Sequence, residues 1–570
     1  MSFLDKRSRA VVLLLVLCTL SVYANTFRNP FLWDDNLLIL QNELIHDARH
    51  LPDLFTTEFF SKSVRESDFS DGGYYRPLVS LSFMADYALW KENPFGYHLT
   101  NFIFHLLNVF LVYLLGKVLW GKRTTPAFFG ALLFAIHPIQ TEAVSFIPSR
   151  VDLIATFFYL GAWVLFDQAV RRQSVKRLSG SLVLFVFSLL SKEMSVTLPI
   201  LLSLYGLVFD GQDRKRAFSF TIPFWVLLLN YLLLRNFVFP LTEKPFWGYF
   251  PRLPWALVSS GTLLFSYVWL LIFPHPLHVE RTHRVVETVW SLQGLVFLVL
   301  VAVLCAGFWS LRRRKEERFL LSIFLCSVLP VLNIVPIYPS MAEHYLYLPS
   351  IPFFLLVAEG FDRKRGIFPE GPVKKGCALL GCLVLIGYGT RTILRNQDYA
   401  DEISFFEETR RYTPQSSLIH GNLGALYLAR GRPAEAIPEL QRALQIDPNL
   451  PKTLANLGMA YRDLGDYEKA IVQFLKAIEM EPQATFYNSL GVCYGMHGKA
   501  EEAEDAFQKA ISLDPDFAGA YYNLGKLYWD QQKWSEVDAV WRKGLEKDPK
   551  HPFLREWLER LQKTKEVQQK

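Results

Sequence analysis

The feature that most constrains this fold is a succession of apolar runs that fills the first two thirds of the chain. They extend from Val11 to about Leu394, and the chain after Arg395 has none long enough to cross a bilayer, which takes ~20 residues. The runs lie at about 10–27, 99–120, 126–142, 151–168, 178–190, 195–209, 218–234, 255–273, 291–310, 319–336, 346–360 and 376–394. The sequence therefore predicts an all-α protein: a polytopic helical membrane domain at 1–394 and a soluble tail.

Composition agrees with this division into two parts. The 570 residues are 51% hydrophobic but 20% charged, with a mean hydropathy of +0.17, which is too apolar for a soluble protein and too charged for a wholly embedded one. The six cysteines include no CxxC or Cys/His pair with metal-ligand spacing. Neither a disulfide framework nor a zinc site is indicated.

Basic loops predict the orientation in the membrane. Lysines and arginines cluster at 117–123, 171–177, 312–315 and 362–365, and such loops stay in the cytoplasm. The basic residues before the first run indicate an uncleaved signal anchor with a cytoplasmic N-terminus. Residues 28–98 then form a first external loop, and the tail is extracytoplasmic too. Runs 178–190 and 195–209 are short, so we expect about 11 spans, with the parity between 178 and 311 left open.

The tail carries a repeat of 34 residues. Prolines recur at 414, 448, 482, 515 and 549, preceded by "NLGALY", "NLGMAY", "SLGVCY" and "NLGKLY" in successive units. This is the period of the tetratricopeptide repeat (TPR), a pair of antiparallel helices. The sequence predicts a half-repeat or linker at 395–414, four repeats at 415–550 and a capping helix with a tail at 551–570. Stacked repeats of this kind form an α-solenoid with a concave face suited to binding proteins or peptides.

Polar residues within or beside apolar runs are costly in a membrane and are therefore candidates for function. On the predicted external side they are Asp34, Asp35, Arg76, His137, Glu142, Arg150, Asp152, Glu343 and His344. Lys192 and Glu193 interrupt two short runs, and His98, Asn101, His105 and Asn108 recur at spacings of three and four. That spacing places the last four on one helix face, where hydrogen bonding between helices is an equally good explanation.

Together these residue types suit one kind of chemistry. Arginines and histidines neutralise a phosphate, and a carboxylate takes the proton of an acceptor hydroxyl. A carboxylate just outside the first span can meet both a bilayer-anchored donor and a water-borne acceptor. A phosphorylated lipid donor is therefore indicated, although each residue alone also has a structural explanation.

The order of "WDDN", "YYRPL", "HPIQTEAVSFIPSR", "SKE" and "AEHYLYLPS", followed by TPRs, resembles the transmembrane and TPR repeat-containing (TMTC) proteins. These are protein O-mannosyltransferases with the GT-C glycosyltransferase fold. The resemblance implies inverting transfer of a sugar, mannose in this family, from a polyprenyl phosphate to Ser or Thr of proteins on the extracytoplasmic face. We expect the TPR tail to bind the acceptor, because stacked repeats of this kind present a concave face that binds proteins or peptides.

The resemblance assigns roles to individual residues. Asp34 is implied to be the catalytic base, with Asp35 beside it, and Arg150 a contact of the donor phosphate. By residue type and position rather than by the resemblance, Arg76, His105, Glu343 and His344 are candidates for the donor site. The candidates for an acceptor or structural polar cluster are His98, Asn101, His137, Glu142, Lys192 and Glu193. His344 stands where the family usually has Arg, which makes the charge there depend on pH.

Some matters are left open. No carboxylate cage for a metal is visible, although a divalent cation is used by several members of the superfamily. The alternatives are a non-catalytic membrane scaffold built on the TPRs and a glycosyltransferase that acts on a lipid-linked or cell-wall glycan. The sugar, the acceptor sequence and the oligomeric state are not readable from the residues, and no nucleic-acid partner is indicated.

Overall fold

A computed structural model describes residues 6–57, 59, 74–209, 214–238, 253–281, 291–312, 314–334, 340–365 and 372–568. These residues form two compact units, Met1–Phe405 and Phe406–Lys570. In the described ranges no β-strand forms beyond one isolated antiparallel bridge between Arg281 and Met341. The all-α prediction is confirmed.

In the described part of the first unit there are fifteen α-helices and the start of a sixteenth. They are α1 (Lys6–Tyr23), α2 (Glu43–His46), α3 (Pro77–Trp90), α4 (Pro94–Trp120), α5 (Thr124–Ile136), α6 (Thr141–Ser145), α7 (Arg150–Arg172), α8 (Val175–Leu189), α9 (Leu198–Phe209), α10 (Arg214–Val238), α11 (Leu253–Ile272), α12 (Leu292–Ser310), α13 (Lys315–Val328), α14 (Tyr347–Arg365), α15 (Pro372–Asn396) and α16 (Glu402–Tyr412).

Every predicted apolar run overlaps at least one of these helices, but the number that can span a bilayer alone is smaller. Within the described ranges, seven helices are long and apolar enough, or up to eight if the bent pair Thr124–Ile136 and Pro138–Ser145 is one span. Helices α8, α9 and α13 have 15, 12 and 14 residues. At 1.5 Å per residue they are shorter than the ~30 Å hydrocarbon core. The prediction of about 11 spans stays a prediction.

Burial separates the helices at the centre of the first unit from those at its periphery. The apolar windows of α4 and α7 are 50% and 67% buried, whereas those of α12 and α15 are 6% buried. The peripheral helices expose Leu298, Val303, Leu379 and Ile386, which suits contact with lipid tails. The polar residues singled out above belong mostly to the central helices and to the turns that join them.

The second unit is the repeat array. Its helices are α17 (Ser417–Ala429), α18 (Pro433–Ile446), α19 (Pro451–Asp463), α20 (Tyr467–Met480), α21 (Ala484–Met496), α22 (Ala500–Leu513), α23 (Ala518–Asp530), α24 (Trp534–Lys547) and α25 (Pro552–Gln568). A Cβ on Gly491 would lie 2.7 Å from the Phe507 ring, so close packing of the paired helices requires glycine there. The predicted TPR solenoid is confirmed.

Candidate active site

Asp34 and Asp35 lie in a tight turn after the first apolar helix. The chain leaves α1 through a 3₁₀ turn at Ala24–Arg28, and Trp33 then adopts a positive φ of 45°. The backbone N–H of Asp35 donates to Leu32 O at 2.9 Å, and Asp35 Oδ2 accepts from the Leu32 N–H at 2.7 Å. The turn is therefore closed on both sides by Asp35, which is 1% exposed.

Asp34 differs from its neighbour because its carboxylate is not committed to the fold. It is partly exposed, and within the described ranges it makes no hydrogen bond or ion pair. Burial of the turn raises the pKa of Asp34 to about 6. Burial also raises the pKa of Asp35. The hydrogen bond from the Leu32 N–H lowers that pKa, and the negative charge of Asp34 raises it further. A free carboxylate with a pKa near neutrality is what a general base requires.

The first turn of α7 holds Arg150, which is fully buried. Its guanidinium forms an ion pair with Asp86 Oδ2 at 2.6 Å, and it donates to Asn101 Oδ1 at 2.7 Å and to the Tyr97 carbonyl at 2.8 Å. It also reaches Ser82 Oγ at 3.3 Å and lies over the Phe83 ring. Arg150 thus joins α3, α4 and α7, and a donor phosphate would have to displace bonds that already exist.

Two residues further along α7, a second group of charges begins. Lys192 Nζ donates to both Asp152 oxygens at 2.6 and 2.7 Å. The adjacent Glu193 accepts from Arg76 at 3.0 Å and lies 3.6 Å from Arg235. Asp152 also acts on Arg76 through its charge. The predicted residues Arg76, Lys192 and Glu193 are therefore brought together, and Arg235 joins them from α10.

This second group has the properties of an anion site. Arg76 and Arg235 share the single carboxylate of Glu193, so that trio carries one excess positive charge, and the Lys192–Asp152 pair is neutral. Within the described ranges, the Nε atoms of Arg76 and Arg235 are buried without an acceptor. Their side chains are 12% and 18% exposed. Guanidinium donors of this kind bind phosphate oxygens strongly.

Glu142, Glu343 and His344 form a third polar group, which is mostly internal. The backbone N–H and Nδ1 of His344 contact the two oxygens of Glu142 at 3.0 and 2.7 Å. Glu343 is fully buried; it accepts from the His278 N–H and from Arg281 at 3.1 Å, and it lies 3.6 Å from Arg395. These contacts bind the "AEH" segment to α6, to residues after α11 and to the end of α15.

The polar stripe of α4 is occupied by contacts with neighbouring helices. Asn101 donates to Val144 O, His105 donates through Nε2 to Ala135 O, and Asn108 donates to Leu153 O. The Tyr347 hydroxyl contacts both His105 at 2.8 Å and Asn108 at 3.1 Å. His98 lies beside the backbone of Asn29 and Pro30, just before the Asp34 turn. His105 therefore faces the interior of the bundle in this structure.

His137, the last of the predicted residues, lies in the interior of the protein. His137 is fully buried, accepts from the Ile139 N–H at 3.2 Å and packs on the rings of Phe354 and Tyr388. It caps the 3₁₀ turn Pro138–Gln140. In the described part of the chain, no three His, Cys, Asp or Glu side chains lie together in a way that could hold a metal ion.

Several charged residues of these groups were not among the predicted site residues. Asp86, Arg235, Arg281 and Arg395 each pair with one that was. Arg235 and Arg395 each directly follow the end of an apolar run. The criterion used for the other residues, a polar side chain within or beside an apolar run, would therefore have selected them. Asp86 and Arg281 could not have been selected by this criterion, because they lie outside the predicted spans. Their partners, Arg150 and Glu343, are also distant in sequence.

Comparisons with known proteins agree with both units. A family model described as dolichyl-phosphate-mannose-protein mannosyltransferase matches residues 77–238, which include Arg150, Lys192 and Glu193 but not Asp34. Models of the tetratricopeptide repeat match residues 415–483 and 497–532.

Curated relatives extend the similarity to almost the whole chain. Protein O-mannosyl-transferase TMTC3 of Mus musculus is 26% identical over 94% of this chain, and that of Homo sapiens is 25% identical over the same share. Protein O-mannosyl-transferase F38B6.6 of Caenorhabditis elegans is 28% identical over 78% of this chain. The chain spans 64% of the length of each of these relatives.

Proposed function

This chain belongs to the TMTC-like family, and on that premise we propose that it is a membrane glycosyltransferase that uses a polyprenyl-phosphate sugar. In this proposal the sugar is mannose and the acceptors are protein hydroxyls, in line with the relatives' name, protein O-mannosyl-transferase. We further propose that the hydroxyls are those of Ser or Thr on the extracytoplasmic face, which is where the basic loops place the Asp34 turn. One observation carries the assignment of the base: Asp34 keeps an uncommitted carboxylate in a turn whose other carboxylate, Asp35, is bonded to the backbone.

The reaction needs one proton acceptor and one site for negative charge. The acceptor hydroxyl attacks the anomeric carbon, its proton passes to Asp34, and the bond between that carbon and the phosphate oxygen breaks. The electron pair of the broken bond stays on the lipid phosphate, so one attack inverts the anomeric centre without a covalent enzyme intermediate. A phosphate leaving as an anion needs no general acid, but its growing charge needs cations.

We assign that charge to Arg76 and Arg235 rather than to Arg150. The first two have buried Nε atoms without acceptors in the described ranges, whereas the Arg150 donors bind Asp86, Asn101 and Tyr97. His105, Glu343 and His344 also have internal partners. In this proposal they shape the site without touching the donor. A divalent cation stays possible, with no residues assigned to it.

Arg76→Ala is expected to raise the KM for the lipid donor. A hydrogen bond to a charged group contributes ~1.5–3 kcal/mol, which corresponds to roughly tenfold or more in affinity. Arg76→Lys should recover only part of it, because an ammonium cannot make the planar two-pronged contact. Initial rates over a range of donor concentrations measure the effect. Arg49→Ala is the control because Arg49 is exposed and, among the residues that the structure describes, pairs with the nearby Asp47. Identical donor curves for Arg76→Ala and wild type would remove Arg76 from the donor site.

Deleting residues 415–570 is expected to weaken glycosylation of an intact acceptor protein and to spare that of a short peptide. All the residues proposed for chemistry precede residue 350, and the repeats form a separate compact unit. A bound acceptor would gain from an effective concentration of ~mM for a short tether. Purified truncated protein given each substrate in turn measures this. Equal loss on both would mean that the repeats serve folding, and equal retention would mean that they bind another partner.

Native glycoproteomics tests the acceptor class. Cells with the wild-type gene, with a deletion and with Asp34→Asn are compared for hexose on Ser and Thr of envelope or secreted proteins. The proposal expects sites that are present only with the wild type. Unchanged protein glycosylation together with an altered lipid-linked or cell-wall glycan would assign the enzyme to that other acceptor, and a phenotype retained by Asp34→Asn would favour a scaffold.

A further inference from the structure

The turn that carries Asp34 is held in an unfavourable conformation. Trp33 has a φ of 45°, in the left-handed region that bulky side chains rarely adopt. Such a conformation is unfavourable and persists only where its surroundings fix it. Because Trp33 immediately precedes Asp34, whatever fixes its backbone also sets the direction of the Asp34 carboxylate.

Two contacts of Trp33 come from the segment that follows the last apolar helix. Its backbone N–H donates to Glu402 Oε1 at 3.0 Å. Its ring stacks on Phe146, with centroids 6.4 Å apart, and lies 6.1 Å from Phe405. Phe405 in turn packs on Phe146 at 6.0 Å and on Tyr399 at 5.5 Å. Residues up to Phe405 are part of the first compact unit, so these contacts lie within one body.

A second connection ties the same segment to the chain just before the turn. Asn396 donates through Nδ2 to Val22 O at 2.7 Å and to Asn25 Oδ1 at 2.8 Å. Its carbonyl accepts from Asn29 Nδ2, and its Oδ1 accepts from Ser145 Oγ at 3.0 Å. Asn396 is 1% exposed. The segment 396–405 therefore contacts the path from α1 to Trp33 at both ends.

We infer that Glu402 is a positioning residue for Asp34, and that residues 396–405, which lead into the repeats, form part of the transferase centre. Glu402 acts by accepting the Trp33 N–H and so holding the strained backbone before the base. The inference rests on the proposed function of Asp34. If the inference is correct, the apolar helices alone are not sufficient for the reaction. A chain cut after residue 394 would keep Asp34 but would lose the groups that orient it.

The test uses the full-length chain with four variants. Glu402→Ala removes the acceptor, and Glu402→Gln keeps a side-chain oxygen at the same reach without the charge. Glu402→Asp keeps the charge but is one methylene too short for Trp33 N. Glu408→Ala is the matched control, since Glu408 lies on the same helix and pairs with the exposed Arg411. Transfer to a peptide is measured as kcat and as KM for donor and peptide, with thermal unfolding recorded for each variant.

The expected result separates geometry from charge. Glu402→Ala and Glu402→Asp should lower kcat roughly 10- to 100-fold, the size of loss caused by a misplaced catalytic group, with little change in either KM. Glu402→Gln and Glu408→Ala should stay close to wild type. If Glu402→Ala does not fold, the difference in kcat between Glu402→Gln and Glu402→Asp tests the inference by itself.

Two outcomes would overturn the inference, and a third would overturn its premise. Wild-type kcat in Glu402→Asp and in any folded Glu402→Ala would show that the bond to Trp33 is not needed. A Glu402→Gln variant as impaired as Glu402→Asp would show that more than the acceptor oxygen matters. If Asp34→Asn, measured alongside, is as active as wild type, the proposed base itself is wrong, whatever the Glu402 variants do.

Discussion

Asp34→Asn is expected to reduce the rate of sugar transfer by roughly 10²- to 10⁴-fold, the usual contribution of a general base. The carboxylate is free of other partners in the described ranges, so its loss removes the proton acceptor without breaking a bond of the fold. With its pKa raised to about 6, the wild-type rate should rise as the pH increases through that value. The variant should lose this ascending limb.

Asp34→Asn should also leave the protein no less stable. The folded pKa of Asp34 is above its unfolded value of 3.8, so ionisation is less favourable in the fold than in the unfolded chain. That cost develops as pH rises from about 4 to about 6 and is fully present above 6. An uncharged Asn avoids it. Thermal unfolding at pH 7.5 should therefore show a Tm at or above that of wild type.

Asp35→Asn is the matched control. An Asn side chain at position 35 can still accept the Leu32 N–H, so the turn should survive and the loss of rate should be smaller. Unchanged turnover in both single variants would contradict the assignment of the base to this turn. A larger loss for Asp35→Asn, in a folded protein, would exchange the roles of the two carboxylates.

Arg150→Ala is expected to prevent normal folding. Removing one partner of a buried ion pair costs about 3–5 kcal/mol. Asp86, which is only 4% exposed, would stay buried without its cation. Asn101 and the Tyr97 carbonyl would lose their donor too. The yield of monodisperse protein and its Tm in detergent measure the loss.

A double variant gives the control for Arg150. Arg150→Met with Asp86→Leu replaces the pair by apolar groups, which is often neutral or stabilising at buried sites, so it should recover part of the stability that Arg150→Ala loses. A folded Arg150→Ala protein with only a raised donor KM would contradict this account. That result would return Arg150 to the phosphate contact that its resemblance to the family implies.

Local signals in the sequence predict the long apolar helices and the repeats, but not α3 (Pro77–Trp90), which lies within the predicted loop 28–98. Apolar runs locate the membrane helices because insertion depends on local hydropathy, and the 34-residue period locates the repeats because each unit packs on its neighbours. Both depend on short stretches of chain. The α4 stripe shows the limit of such signals: spacing placed His105 on the right face, but spacing could not show that Ala135 and Tyr347 already bind it.

Partners distant in sequence could not be predicted in the same way. Arg150 pairs with Asp86 across two helices, and Glu343 pairs with Arg281 and Arg395, because these contacts depend on how whole helices pack. Glu402 lies in the predicted half-repeat or linker at 395–414, and nothing in that sequence indicates a contact with Trp33. In the structure its Oε1 accepts the Trp33 N–H. His344, which replaces the usual Arg of its motif, is paired with Glu142.

Transfer of sugar by the purified full-length chain tests the central claim most directly. The protein in detergent receives a polyprenyl-phosphate mannose and a peptide rich in Ser and Thr, and the peptide is analysed by mass spectrometry and by NMR of the anomeric centre. We expect one added hexose with inverted anomeric configuration, in a reaction that depends on the lipid donor and is slowed roughly 10²- to 10⁴-fold in Asp34→Asn. Retained configuration, or equal transfer by Asp34→Asn, would contradict it.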